Sequence, residues 1–314
     1  MNPDIKTTEL LTQLFEKYRL SGQNTTDYLE GLLVSNYEPY WKYIHLESLL
    51  SLQDPKTDFD DEMIFIIYHQ ITELYFKLIL HELEISRKEN CNSELLEENL
   101  RRINRYLKHL IQSFDIMTDG MRQDEFLKFR MALLPASGFQ SYQFRLIEIC
   151  LTPLQNLLSM DDRMMEIPAN YADVYDMVYW KKGAIDLGTG EKTLTLKQFE
   201  KQYDEKLSQF ANQLKENNLY AVYLKLKKNG EKTAAVAEEM RVLDTNMNIN
   251  WRLAHYRSAV RYLHKMGGDV AATGGTNWQK FLPPRFQKVI SFPDLWNEEE
   301  LENWGKSWVD DQFK

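Results

Sequence analysis

The chain has 314 residues, a formal net charge of −9 and 12% aromatic side chains. That acidity argues against nucleic acid or an anionic membrane surface as the main partner, and nine prolines with thirteen glycines are few for a turn-dense β fold. The two cysteines, Cys91 and Cys150, form no CxxC pair, so a disulfide framework and a thiolate metal site are both unexpected, and a reduced, cytoplasmic setting fits.

The first residues, MNPDIKTTELL, contain an early acid and no long apolar core, so they do not read as a signal peptide. Residues 7–20 predict a helix opened by a Thr cap and closed by Ser21-Gly22, and a second element covers about 25–34. From Tyr37, the pattern YEPYWKYIHLESLLSLQ places Tyr40, Tyr43, Leu46, Leu49 and Leu50 on one helical stripe that ends at Asp54-Pro55. Such stacked tyrosines serve a core or an interface more often than a ligand. Residues 61–88 form the most hydrophobic helix, apolar nearly all round from Met63 to Leu80, and are expected to be central. His69 lies inside that run. No stretch reaches 18 uninterrupted apolar residues, so no membrane span is expected. An amphipathic helix follows over 93–118, with Leu100, Ile103, Leu107 and Leu110 on one side.

The stretch FLKFRMALLPASGFQSYQFR, residues 126–145, opens as a helix with Phe126, Phe129, Leu133 and Leu134 on one apolar face. Arg130 falls on that same face. A guanidinium there either snorkels to water, pairs with a local Glu, or meets a planar anion such as a carboxylate. Pro135 stops the helix, and Ala136-Ser137-Gly138 supplies a loop that a ligand can approach closely. Further helices are expected at 141–158, 196–215 and, as one long rod, 232–266. Residues 160–195 are the least regular part, a loop or a small hairpin. GGDVAATGGTNWQKFL is a glycine-rich loop. With no repeat and no convincing linker, the reading is one all-α domain over 1–314.

At about 100° per residue, Trp251, Ala259, Tyr262 and Met266 share the side of His255, while Arg257, Arg261, His264 and Lys265 lie opposite. An inward histidine is more often a satisfied core residue than a ligand. A second inward histidine, His69, on the most apolar helix suggests a flat apolar cofactor such as haem, bound at its metal by one neutral imidazole. His81-Glu82 lacks the second histidine of HExxH, and no GxGxxG after a strand, Walker loop or GxSxG is present.

The segments DEMIFIIYHQITELYFKLILHEL, FRMALLPASGFQSYQFR and WRLAHYRSAVR…ATGGT resemble, in this order, the signature segments of the tryptophan 2,3-dioxygenase family. The resemblance runs from about Tyr37 to Trp296 and is weak between 156 and 245. It implies an all-helical haem b protein assembled as a homotetramer, acting on L-tryptophan with O2 to give N-formylkynurenine. His255 matches the proximal iron ligand, His69 the distal histidine that meets the indole N–H, and Arg130 the clamp on the substrate carboxylate. Phe65, Phe126, Leu133 and Ser137 match pocket and haem-edge positions, and Thr273 matches the threonine at the amino-acid end of the substrate. Tyr40, Tyr43 and Ile44 match a segment that a neighbouring subunit lends to the pocket, so residues 1–58 are expected at a subunit interface. The chain departs from the family loop GTGGSSG, reading Ala272-Thr273-Gly274-Gly275-Thr276-Asn277-Trp278. That change leaves open a same-fold oxygenase acting on a modified tryptophan; a haem-less helical binding protein is the remaining alternative.

Overall fold

The computed structural model describes residues 4–134, 136–168, 170–186, 188–263 and 283–306. The chain divides into two units, Met1–Asp54 and Pro55–Lys314.

In the first unit, α1 (Ile5–Leu20) starts earlier than the Thr cap predicts, because the Asp4 carboxylate accepts from the Thr7 amide at 2.7 Å. A carboxylate at this position satisfies an orphan amide and meets the positive end of the helix. The helix α2 (Thr25–Val34) is capped by Asn24, and Tyr18 stacks on Tyr28 at 5.2 Å. The single helix expected after Tyr37 is two short ones, α3 (Tyr40–Tyr43) and α4 (Leu46–Leu50). His45 between them is left-handed at φ 51°, and a left-handed residue cannot continue a right-handed helix. The predicted five-residue stripe is therefore split.

The second unit is built on α5 (Asp61–Ile85) and α6 (Ser93–Ser113). Leu96, Leu100, Ile103, Leu107 and Leu110 of α6 are all fully buried, each contributing about 1.5–3 kcal/mol of burial. Opposite them α5 buries Tyr68, Thr72, Phe76, Ile79 and Leu83. The helix α5 is less central than its composition suggests. Met63, Ile67, Ile71, Leu74 and Leu78, at near-helical spacing, form a stripe that the chain leaves exposed. Its length and composition would suffice to cross a membrane, yet it packs along α6 and α9 and buries Glu62 and Glu82. Both cysteines are free thiols, Cys91 at the turn after α5 and Cys150 in the core.

After α7 (Asp115–Thr118) comes α8 (Gln123–Phe129), which tightens into a 3-10 turn at Arg130–Leu133. Leu134 drops off the predicted apolar face and is exposed. Then follow α9 (Tyr142–Leu151), α10 (Tyr179–Lys182) and α11 (Leu194–Gln213). Between α9 and α11, two isolated antiparallel bridges, Leu158–Val178 and Ile185–Lys192, are the β pairing present among the described residues. The buried Lys181 ammonium ties this region down, 2.7 Å from both Asp176 and Asp204 and 3.2 Å from Glu200. The helix α12 (Leu219–Lys228) was not expected from the periodicity.

The long rod expected at 232–266 is α13 (Ala234–Thr245), a π turn at Asn246–Asn250, and α14 (Trp251–Leu263). Such turns insert one residue and rotate everything beyond them. Asp244, fully buried, holds the junction. Its carboxylate accepts from the amides of Ser291 (2.9 Å) and Phe292 (3.2 Å), from Asn248 Nδ2 (2.7 Å) and from Trp296 Nε1 (3.0 Å). Burial pushes its pKa up, and these four donors pull it back. Asp244→Ala strands several buried donors at about 1–3 kcal/mol each, so it is expected to cost about 4 kcal/mol of unfolding free energy. A urea melt checks this; a loss under about 1 kcal/mol would show that the hub is dispensable.

Candidate active site

Three helices carry the candidate side chains: Phe65 and His69 on α5, Phe126 on α8 with Arg130 and Leu133 just beyond it, and His255 on α14. Nδ1 of His69 lies 2.7 Å from the carbonyl oxygen of Phe65, and Nδ1 of His255 lies 3.1 Å from that of Trp251. A carbonyl only accepts, so each Nδ1 carries the proton and each Nε2 keeps a bare lone pair.

Burial holds the His255 pKa down at about 4, against a weaker upward pull from the Trp251 carbonyl, and the charge of His69 adds a further downward push. Burial lowers the His69 pKa as well, opposed by the Phe65 carbonyl and by Glu73. His69 is nevertheless reachable by solvent. His69 is therefore not the inward residue that the apolar run around it predicts. Both rings are neutral at pH 7.

Aromatic contacts run from His69 to α14 by two routes, one of which reaches His255. One passes from His69 to Tyr68 (6.1 Å), Phe114 (5.8 Å) and His255 (4.6 Å). The other passes from His69 to Phe65 (4.0 Å), Phe129 (5.8 Å), Phe126 (5.5 Å) and Tyr262 (4.6 Å), two turns beyond His255 on α14. Trp251 also packs on His255 at 4.5 Å. Face-and-edge contacts of this kind stiffen an apolar wall. Phe129 joins Phe65 to Phe126 and is fully buried. Sequence reasoning saw it only as part of a helix face; its position between Phe126 and Arg130 was the available signal.

Arg130 is only 5% exposed, and burial lowers its pKa. Leu133, Phe65 and Phe126 are half-buried against the same core. Ser137 caps the short turn Gly138–Gln140, its amide donating to Gln140 Oε1 at 3.0 Å. Trp251 and Tyr262 are buried while Arg257 and Arg261 are exposed, as the helical plot around His255 predicts. Tyr40 and Tyr43 lie on α3 in the first unit, 70% and 75% exposed, with Ile44 as the C-cap of that helix. Thr273, Trp278, His264, Lys265 and Met266 lie outside the described residues.

An all-helical chain with two neutral imidazoles bordered by aromatic rings fits the class of oxidoreductases. The family model for tryptophan 2,3-dioxygenase matches residues 32–177. A tryptophan 2,3-dioxygenase of Bacillus thuringiensis subsp. konkukian (strain 97-27) is 31% identical over 286 residues, covering 87% of this chain and 93% of the relative. Those of Ruegeria sp. (strain TM1040) and Polaromonas naphthalenivorans (strain CJ2) are 31% and 27% identical, each over 82% of this chain and 90% and 89% of theirs. The chain belongs to the tryptophan 2,3-dioxygenase family.

The low pKa of His255 has a sign that can be checked on the chain alone. The unfolded imidazole takes its proton near 6.5 and the folded one near 4, so acid favours unfolding between these values. The full stabilisation is present above pH 6.5, and about 3 kcal/mol is lost as pH falls to 4. Unfolding free energies of the wild type and His255→Asn, measured across this window, should converge on acidification.

Proposed function

We propose that this chain is a haem-dependent dioxygenase that cleaves the indole C2–C3 bond of L-tryptophan with O2 to give N-formylkynurenine. The observation that carries this reading is the pair of histidines whose Nδ1 protons are spent on their own helices, leaving each Nε2 with a lone pair.

The residues fit haem. His255 offers a single neutral donor that packs on Phe114 and Trp251, and it would be the residue to hold the haem iron. Its Nδ1–H bond to a carbonyl is the outer contact that fixes such a ligand's tautomer and orientation. Among the described residues, the grouping with metal-ligand spacing is Asp176, Glu200 and Asp204, which contains neither histidine and is paired with Lys181 and Lys192. Haem, when bound, supplies the activation of O2 that the side chains lack.

The chain's own residues bind and orient. Arg130 holds the substrate carboxylate in a bidentate pair, and Thr273 adds a contact at the amino-acid end. Phe65 and Phe126 wall the indole, with Leu133 and Ser137 at the pocket edge. His69 Nε2 accepts the indole N–H. Its lowered pKa makes it a weak base, so it orients the substrate and does not ionise the indole. Tyr40, Tyr43 and Ile44 complete the pocket of a neighbouring subunit in a homotetramer, and the exposed α5 stripe gives such an assembly an apolar surface to bury. Both units then serve one catalytic domain.

His255→Ala is expected to lose the haem Soret band, whereas full haem occupancy in the variant would remove the axial assignment. Arg130→Ala should raise KM for L-tryptophan about a hundredfold, the loss of one charge-assisted pair worth roughly 3 kcal/mol, and should leave tryptamine little changed. Equal effects on both would remove the clamp. The altered loop around Trp278 favours a second reading, oxygenation of a modified tryptophan. Mass spectrometry of products from tryptophan and methylated tryptophans separates the two.

A further inference from the structure

Neither α5 nor α8 caps its own N-terminus: Asp60 and Arg122, at the cap positions, make no side-chain cap bond. Each helix is instead capped by the other. Asp61 Oδ2 accepts from the Arg122 amide at 2.6 Å, and Glu125 Oε2 accepts from the Asp61 amide at 3.2 Å. Arg122 closes the loop with a direct ion pair to Glu125, and its Nε lies 3.7 Å from Asp61 Oδ2. The Asp61 and Glu125 side chains are 9% and 15% exposed, whereas Arg122 is 61% exposed. The ion pairs are therefore screened and add little, and the two sheltered caps make the joint.

From that joint the two helices carry matching cargo. Phe65 and Phe126 stand four residues on from Asp61 and Arg122, and His69 and Arg130 stand eight on. Eight residues is about 12 Å of helix. A rotation at the joint is thus magnified at the two polar groups. On its other side α8 is held to α14, where Gln123 Nε2 donates to the Arg261 carbonyl at 3.1 Å and the Tyr262 hydroxyl donates to the Met121 carbonyl at 3.2 Å.

We propose that the reciprocal caps of Asp61 and Glu125 are a positioning device that sets the span between His69 and Arg130, and so selects substrates that reach both. The proposal rests on the reading of Arg130 and His69 given above. Asp61 and Glu125 touch no substrate; they act through the helices they join. A ligand with both an indole N–H and a carboxylate depends on this span. One lacking the carboxylate does not.

The test is calorimetric binding of L-tryptophan and tryptamine to the haem-loaded wild type, Asp61→Ala, Asp61→Asn, Glu125→Ala and Arg130→Ala. Asp61→Ala should weaken L-tryptophan about tenfold and tryptamine less than twofold, because only one ligand spans the joint. Asp61→Asn keeps an oxygen acceptor for the Arg122 amide and should restore most of the loss. Glu125→Ala should shift the same ratio in the same direction, and it serves as the probe if Asp61→Ala does not fold. Equal weakening of both ligands, or no weakening of L-tryptophan, overturns the positioning role. Arg130→Ala that binds L-tryptophan like the wild type overturns the underlying site reading instead.

Discussion

The site depends on two hydrogen bonds internal to helices, from Nδ1 of His69 to the Phe65 carbonyl and from Nδ1 of His255 to the Trp251 carbonyl. Each fixes a tautomer with no hydrogen-bond partner from outside its own helix. A carboxylate in that role would raise the imidazole pKa, working against the burial that keeps both rings neutral. The carbonyl is a mild partner: it orients the ring and leaves burial in control.

That economy moves the demand for polar bonding elsewhere in the chain. The π turn at Asn246–Asn250 precedes Trp251 directly, and its extra residue sets which way His255 faces. Within it, Asn248 Nδ2 donates to Asp244 Oδ1 and to Ser291 Oγ, which ties the turn down. Arg145, Glu148 and Tyr179 form a buried cluster beneath Arg252, with the Arg145 Nη1 to Glu148 Oε2 pair at 2.9 Å and the Arg252 guanidinium 4.7 Å over the Tyr179 ring. The irregular stretch after α9 thereby braces the helix that carries His255.

The long helices and the inward turn of His255 were legible from apolar spacing, because a buried face imposes that spacing directly. So was the placing of Arg130 on an apolar face, which the structure shows as burial. The broken elements were not legible. Nothing in YWKYIHLESLL announces a left-handed His45, and α13 and α14 share one periodicity on paper because a single inserted residue hardly disturbs a local pattern. The exposed stripe of α5 was missed for the opposite reason: composition reports how apolar a helix is and not which sides its own chain covers. The role of Phe129 and the crossed capping of α5 and α8 depend on contacts between residues some sixty positions apart, which no local window contains.

Burial has a chemical side for the two cysteines. Enclosure in the core pushes the Cys150 thiol up to about 11, so at neutral pH it stays protonated and is a poor nucleophile. Cys91, at the turn between α5 and α6, is only partly covered. A maleimide dye or spin label offered to the folded chain would therefore find one natural attachment point, beside the far end of the helix that carries His69.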